Sequence, residues 1–366
     1  MKAASSDRAC RRFAIVIALT AVAAAVMAAT APGLFGKVER RGGSNFYGVS
    51  PQTQRPLSDF RRMKRGGVDT VRMGIPWNGV ELAPGEYNFG GIDDTVRQIA
   101  RAKLEIFPFI GATPSFYGHD FRTLPSQTAQ QRHAWAAFLR ACVRRYGPRG
   151  RFWARHPRLP KRPIHRWQIW NEANFFYFTE PRSPKLYAKL VKVSHKAVRS
   201  VDPRAKVILA GLFAHPRQRP PKAFQATTFL RRFYRVPRIK RSFEGVALHP
   251  YAKDARQLRP DIRSIRSIMR RHGDGSTGLY LTEIGWGSGR GTAFEKGPRG
   301  QVRQLTRAFK LLRRMRRSAH IKRVIWFSWD DLPGSCDFCD STGLVRQNGK
   351  PKRVWWRYRA FALNRR

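Results

Sequence analysis

Two stretches that each contain one glutamate decide how this sequence is interpreted: residues 167–172 (WQIWNE) and residues 279–286 (LYLTEIGW). Each contains a short, nearly continuous apolar run, which is typical of a strand buried on both faces of a parallel sheet. Acidic residues are scarce in this chain, which has 23 Asp plus Glu against 72 Lys plus Arg. Two glutamates that each directly end a hydrophobic strand, Glu172 and Glu283, therefore stand out from a random arrangement.

Strand-like and helix-like segments alternate along the rest of the chain, because an apolar pattern of helical spacing follows each strand-like run. The predicted strands are Phe46–Ser50, Val68–Trp77, Leu104–Thr113, Ile164–Trp170, Lys206–Phe213, Phe243–Leu248, Gly278–Ile284 and Val324–Trp329. Eight strands alternating with eight helices predict an α/β fold, a (β/α)8 TIM barrel that forms a single catalytic domain. The alternative is a doubly wound sheet, but no Gly-rich phosphate loop follows the first strand.

The N-terminus has the composition of a targeting segment. Basic residues between positions 2 and 12 precede an uncharged run over residues 13–29, and residues 29–31 (ATA) offer a small-residue cleavage site. We expect residues 1–31 to be a signal peptide or signal-anchor, residues 32–44 to be a linker and residues 45–366 to be the barrel domain. The expected localisation is secreted or extracellular, or anchored to the outer face of a membrane by the N-terminal segment.

The formal net charge of +49 also needs an interpretation. Removal of residues 1–31 deletes four positive charges and one negative charge, which leaves +46. The basic residues are either spread over solvated helix faces or retain the protein electrostatically at an anionic matrix or cell wall. Nucleic-acid binding is the least favoured alternative, because the basic residues are scattered and no nucleic-acid motif accompanies them. A hydrophobic content of 42% excludes a wholly disordered chain, and a single long apolar run excludes a polytopic membrane protein.

The residues that follow the strands of a (β/α)8 barrel meet at one face, and the chemistry lies there. Besides the two glutamates, polar and aromatic side chains are predicted at this face: Arg72, Trp77, Asn171, His249, Tyr251, Trp286 and Trp329. Glycoside hydrolysis needs two carboxylates that flank the scissile bond. A buried glutamate is costly unless it is paired, and Arg72 on the second strand is placed to be its partner. The alternative is a buried Glu–Arg lattice without catalysis.

A family resemblance rests on these residues. Arg72, Asn171–Glu172, His249–Tyr251 (HPY), Glu283 and Trp329 together resemble clan A glycoside hydrolases, most closely the family 39 and family 5 type enzymes of secreted bacterial proteins. The resemblance implies a retaining hydrolase that acts on a polysaccharide or oligosaccharide, with an acidic polymer among the candidates. It implies no cofactor and no metal, and we expect a monomer. The competing hypothesis is a catalytically silent barrel that binds a carbohydrate or polyanion.

The resemblance also implies what each residue does. Glu172 would be the acid/base and Glu283 the nucleophile, with carboxyl groups about 5–5.5 Å apart. Arg72 would keep Glu283 ionised, while the negative Glu283 would raise the pKa of Glu172. Asn171 would hydrogen-bond the 2-hydroxyl of the sugar, and His249 and Tyr251 would orient Glu283 and the sugar. Trp329 would form the floor of the subsite that holds the sugar. Trp77 and Trp286 are the other two residues expected to bind the substrate.

Cys336 and Cys339 lie in a short loop past the eighth strand. A secreted compartment favours a disulfide between them, with free thiols and a metal site as alternatives. A metal site would need two further ligands, and no second C-x-x-C motif is present.

Overall fold

The computed structural model describes residues 46–336 and 338–364. Eight parallel strands close into a barrel, so the predicted (β/α)8 fold is confirmed and a doubly wound sheet is excluded. In chain order the strands are β1 (Tyr47–Ser50), β2 (Thr70–Pro76), β3 (Glu81–Ala83), β4 (Glu86–Tyr87), β5 (Glu105–Gly111), β6 (Arg166–Ile169), β7 (Lys206–Phe213), β8 (Gly245–His249), β9 (Gly278–Ile284) and β10 (Ile321–Phe327). The barrel order is β1-β10-β9-β8-β7-β6-β5-β2, and β3 pairs with β4 as a separate antiparallel hairpin.

A long helix follows each barrel strand. These helices are Leu57–Arg65, Gly90–Arg101, Ala129–Tyr146, Pro184–Arg199, Ala226–Tyr234, Leu258–Arg271, Gly297–Met315 and Arg353–Ala362. Shorter helices at Trp77–Val80 and Arg151–Arg155 add to this pattern. Apolar side chains on the inner helix faces pack against the outside of the barrel, as the helical spacing predicts. No helix in the described ranges is both long enough and apolar enough to cross a membrane.

The last strand differs from its predicted bounds. It begins at Ile321 instead of Val324 and ends at Phe327, two residues before Trp329. The charged pair Lys322–Arg323 broke the apolar pattern on which the prediction relied. Arg323 is nevertheless buried, because its guanidinium donates to Thr70 Oγ1 (3.2 Å) and to Glu105 (2.7 Å) at the N-terminal end of the barrel.

The predicted signal segment (residues 1–31) and linker (residues 32–44) lie outside the described residues, and their assignment stays a prediction. Of the predicted barrel domain, residues 45–366, the structure describes all but residues 45, 337, 365 and 366.

Candidate active site

The turn after β6 presents Glu172 to the C-terminal face of the barrel. Trp170 and Glu172 both have left-handed backbone conformations, with φ of 72° and 40°. Non-glycine residues adopt this region only where the surroundings fix them. The indole N–H of Trp170 supplies such a restraint by donating to Thr179 Oγ1 (2.8 Å) and to the Phe178 carbonyl (2.9 Å). Glu283 needs no special turn, because it lies within β9.

The two glutamates meet at one buried cluster. One oxygen of Glu172, one oxygen of Glu283 and a ring nitrogen of His249 all lie within 4.8 Å of one another. His249 Nδ1 is 2.8 Å from Glu172 Oε1 and 3.5 Å from Glu283 Oε2. The two carboxyl groups therefore face one another across a single cluster, as a retaining pair requires.

Arg72 holds the cluster together from inside the barrel. Its guanidinium is fully buried and donates to Glu283 Oε1 (2.7 Å), to Asn171 Oδ1 (2.9 Å) and to Gln168 Oε1 (2.8 Å). The predicted contact between Arg72 and Glu283 is therefore present. Tyr251 donates from its hydroxyl to the other oxygen of Glu283 at 2.7 Å. Both oxygens of Glu283 thus accept strong hydrogen bonds.

The two carboxylates have different electrostatic surroundings. Burial raises the pKa of Glu172 well above its ordinary value, and the negative charge of Glu283 raises it further. Burial also raises the pKa of Glu283, but the charge of Arg72 and the hydrogen bonds from Tyr251 and Arg72 oppose this effect. The negative charge of the pair therefore resides on Glu283, and the proton resides on Glu172.

His249 is neutral in this site, because burial and the nearby Arg72 charge lower its pKa well below the ordinary value. A hydrogen-bond chain fixes which nitrogen carries the proton. Gln168 accepts from Arg72, so its amide NH2 donates to Thr282 Oγ1 (3.2 Å). The Thr282 hydroxyl is then left to donate to His249 Nε2 (3.0 Å). We therefore assign the proton of His249 to Nδ1, which donates to Glu172 Oε1.

This tautomer determines where the proton of Glu172 lies. Because Oε1 accepts from His249, the carboxylic proton is placed on Oε2, the oxygen left for a ligand. The backbone makes room for the imidazole at Gly211 on β7, where a Cβ atom would overlap the His249 ring. Gln168 and Thr282 are site residues that the sequence analysis missed. Their signal was available, since each is an uncharged polar residue within a largely apolar strand.

Glu172, His249 and Glu283 also lie close enough together to hold a metal ion. The chemistry of the cluster opposes this. Arg72 places a positive charge 2.7 Å from Glu283 and would repel a cation. The oxygens of Glu283 already accept from Arg72 and Tyr251, and Glu172 is the protonated partner. The arrangement suits acid–base and nucleophilic chemistry better than metal binding.

Three predicted sugar contacts are wrong, because the tryptophans concerned are fully buried. Trp77 packs among aromatic side chains and donates its indole N–H to Glu81. Trp286 donates to the Ala252 carbonyl at 2.7 Å. Trp329 packs edge-on against Trp355, with ring centroids 5.1 Å apart. Trp329 lies two residues past the end of β10. Phe327 ends that strand instead, and its ring centroid lies 6.2 Å from that of Tyr251.

Cys336 and Cys339 form the predicted disulfide, with Cα atoms 5.1 Å apart. The loop that it closes touches the site, because the Phe338 ring packs edge-on against Tyr251 with centroids 5.1 Å apart. Cys142 is a buried free cysteine on the helix Ala129–Tyr146, and burial raises the pKa of its thiol.

Thr282→Val tests the tautomer assignment. Valine keeps the shape of threonine and removes the hydroxyl that donates to His249 Nε2. The imidazole proton is then no longer confined to Nδ1, and the proton of Glu172 is no longer confined to Oε2. We expect turnover of glycosides with poor leaving groups to fall about 10–100-fold, part of the contribution of a general acid. Dinitrophenyl glycosides, which need little protonation, should lose much less. Thr282→Ser keeps the hydroxyl and is the matched control. Equal losses on both classes of substrate would contradict the assignment.

The pKa directions predict a bell-shaped dependence of kcat/KM on pH. Activity should be lost as pH falls through the pKa of Glu283, and lost again as pH rises through the elevated pKa of Glu172. Tyr251→Phe removes a hydrogen bond that favours ionised Glu283. Hydrogen bonds to charged groups contribute about 1.5–3 kcal/mol, so the acid limb should move up by about one to two pH units. The alkaline limb should move less, and a reversed order of shifts would contradict the assignment of the two carboxylates.

Comparisons with known proteins agree with the fold. No family model matches the sequence, and no curated protein is significantly similar to it. Among solved structures, a family 39 glycoside hydrolase from Bacteroides cellulosilyticus is similar at 18% identity and a TM-score of 0.65, over 88% of this chain and 64% of that chain. A monomeric beta-xylosidase from Caulobacter crescentus is 16% identical with a TM-score of 0.64, over 87% of this chain and 69% of that chain.

A GH5_18 protein from Bifidobacterium longum, solved in complex with Manb1-4GlcNAc, is 12% identical with a TM-score of 0.59. That match covers 87% of this chain and 78% of the other. Similarity at these identities establishes the fold. The fold implied by the resemblance to the family 39 and family 5 enzymes is therefore confirmed. The chain spans less than two thirds of the length of the Bacteroides structure.

Proposed function

We propose that the chain is a retaining glycoside hydrolase that cleaves O-glycosidic bonds of a polysaccharide or oligosaccharide by double displacement. The asymmetry within one buried carboxylate pair carries this proposal. Glu283 is held ionised by Arg72 and Tyr251, whereas Glu172 accepts from the neutral His249 and keeps its proton. A structural Glu–Arg lattice has no need of a second, protonated carboxyl group beside the ion pair.

In the first step Glu283 attacks the anomeric carbon, the bond to the leaving oxygen breaks, and Glu172 gives that oxygen its proton. In the second step Glu172 takes a proton from water, the water oxygen attacks the anomeric carbon, and the ester bond to Glu283 breaks. Two inversions restore the starting configuration. Asn171 contributes as a hydrogen-bond donor, since Arg72 occupies its Oδ1 and orients its amide NH2 for a sugar hydroxyl.

The substrate that we propose is a β-linked sugar. The structural neighbours include proteins described as a beta-xylosidase and an exo-beta-1,4-mannosidase, the latter at a TM-score of 0.55. Exposed aromatic side chains follow the strands that form the mouth of the barrel: Phe116 is 39% exposed after β5, and Tyr177 is 48% exposed after β6. Sugar rings stack on such faces through their apolar C–H groups.

We further propose that the protein acts outside the cytoplasm as a monomer. The apolar segment within residues 1–31 and the disulfide between Cys336 and Cys339 support this location, because disulfides persist in oxidising compartments. The segment would serve as a cleaved signal or as a membrane anchor.

The test is hydrolysis of aryl β-xylosides, β-glucosides and β-mannosides, together with a panel of polysaccharides, by the purified protein. Proton NMR of the first product formed should show the β-anomer. An α-anomer formed first would replace retention with inversion. If no member of either panel is cleaved, the proposal fails, and a barrel that binds carbohydrate without cleaving it becomes the better explanation.

A further inference from the structure

A groove of about 470 Å³ lies on the outer wall of the barrel, between the helices Gly297–Met315 and Arg353–Ala362. Four arginines and one tryptophan line it: Arg299, Arg303, Arg353, Arg357 and Trp356. The two helices are packed together, with Phe309 of the first in contact with Tyr358 and Phe361 of the second. This groove lies outside the catalytic cluster, and none of its residues contributes to that cluster.

The positive charge of this groove is not balanced locally. The sequence contains no Asp or Glu between Glu295 and Asp330, and none after Asp340, so neither helix carries a carboxylate. Arg299, Arg303 and Arg353 are exposed, and none of them forms a salt bridge within the described part of the chain. Arginine forks of this kind bind carboxylate, sulfate or phosphate groups in two-point contacts.

Trp356 is 54% exposed, whereas the other aromatic residues of its helix, Trp355, Tyr358 and Phe361, are buried. The core of the barrel therefore does not need the Trp356 ring. The guanidinium of Arg359 lies over the Trp356 ring, 5.0 Å from the ring centroid. Trp356 also borders the groove. An exposed tryptophan among arginines offers an apolar stacking surface surrounded by positive charge.

The topology places this groove toward the catalytic end of the barrel. The two helices follow β9 and β10, so both begin at the face where those strands end. Arg299, Arg303, Arg353 and Trp356 all lie in the first two turns of their helices. The groove therefore lies on the side wall just beyond the rim that carries the catalytic cluster.

We propose that this groove is a second binding site, which holds an acidic polysaccharide chain while the barrel mouth acts on it. The proposal rests on the proposed glycosidase function. A sugar ring would stack on Trp356, and uronate or sulfate groups of the neighbouring sugars would pair with the surrounding arginines. Nucleic acid is the less favoured occupant, because sequence-tolerant single-strand binding uses several aromatic residues on which successive bases stack. This groove contains one aromatic residue, Trp356.

The experiment measures binding of polygalacturonate, neutral dextran and poly(dT) by affinity electrophoresis at physiological ionic strength, about 0.15 M. All variants carry Glu283→Gln, so that no polymer is degraded. Trp356→Ala should weaken binding of polygalacturonate about tenfold. The triple variant Arg299→Gln, Arg303→Gln, Arg353→Gln should weaken it further and reduce its dependence on salt. Dextran should bind weakly to every variant.

A second triple variant is the matched control. Arg259→Gln, Arg263→Gln and Arg271→Gln remove the same charge from exposed positions of the helix Leu258–Arg271, which exposes no large aromatic residue. Thermal unfolding of each variant checks that it is folded. If both triple variants weakened polygalacturonate binding equally, the binding would depend on net charge alone, and the proposal would be overturned. Unchanged binding by Trp356→Ala would also overturn it, as would tighter binding of poly(dT) that depends on Trp356.

Failure of this site and failure of the proposed function are separable. The binding measurements use a chain without its nucleophile and do not require that the parent be an enzyme. Hydrolysis of small aryl glycosides by the parent tests the catalytic cluster alone, because such substrates are too short to span the rim and the outer groove.

Discussion

Glu283→Gln is expected to abolish hydrolysis of every glycoside that the parent cleaves, whatever the leaving group. Glutamine keeps the shape of the side chain but cannot form the ester intermediate, and loss of an essential nucleophile lowers kcat by about 10⁴-fold or more. The rate is measured on aryl glycosides with good and poor leaving groups. In Glu283→Ala, azide can occupy the vacated space and attack the anomeric carbon directly, which should give a glycosyl azide of inverted configuration.

Glu283→Gln should also be less stable than the parent protein. Arg72 and Tyr251 both donate to the oxygens of Glu283, and an amide presents only one acceptor. Removal of one partner from a buried ion pair leaves an uncompensated charge and destabilises a protein by about 3–5 kcal/mol. Thermal unfolding of Glu283→Gln should therefore show a clear decrease in Tm. A variant that keeps the parent's turnover would show that Glu283 is structural.

Glu172→Ala should separate substrates by their leaving groups. Loss of a general acid slows poor leaving groups by about 10²–10⁴-fold, whereas dinitrophenyl glycosides should still form the covalent intermediate. That intermediate should accumulate, because no base remains to activate water, and it is detected as a burst of dinitrophenol and by intact mass. Azide needs no base, so it should restore turnover and give a glycosyl azide of retained configuration.

Glu105→Gln is a matched control for both variants. Glu105 is also a glutamate on a barrel strand with two arginine partners, Arg166 and Arg323, but it lies at the opposite end of the barrel. It should lower stability without changing the leaving-group dependence. If Glu105→Gln reproduced the azide behaviour of Glu172→Ala, or if Glu172→Ala slowed all substrates equally, the assignment of the acid/base would be wrong.

The fold was predictable because parallel barrel strands are buried on both faces and stand out as apolar runs. β7 and β9 have the predicted bounds, whereas β10 begins earlier than predicted, because Lys322 and Arg323 interrupt the apolar pattern, and ends two residues before Trp329. The meeting of Glu172 and Glu283 followed from topology alone, since residues at the ends of barrel strands converge on one face.

The tryptophans were not predictable in the same way. The position of a residue after a strand does not reveal whether its ring is exposed at the mouth or buried in the core, and Trp77, Trp286 and Trp329 are all buried. The hydrogen-bond chain through Gln168 and Thr282 was missed because it joins neighbours in space that lie far apart in the sequence. A polar residue inside an apolar strand is the signal that would have found them.

The fully buried guanidinium of Arg72 sets a condition on the whole reaction cycle: the interior of the site can remain electrically neutral at every stage. In the resting site one positive charge, on Arg72, faces one negative charge, on Glu283. When Glu283 becomes an ester it loses its charge, and Glu172, having given up its proton, gains one. The anion moves from one glutamate to the other while the arginine stays fixed. Neither half-reaction then has to place an unbalanced charge in the dry interior, and the acidity of Glu172 rises and falls in step with its two successive tasks.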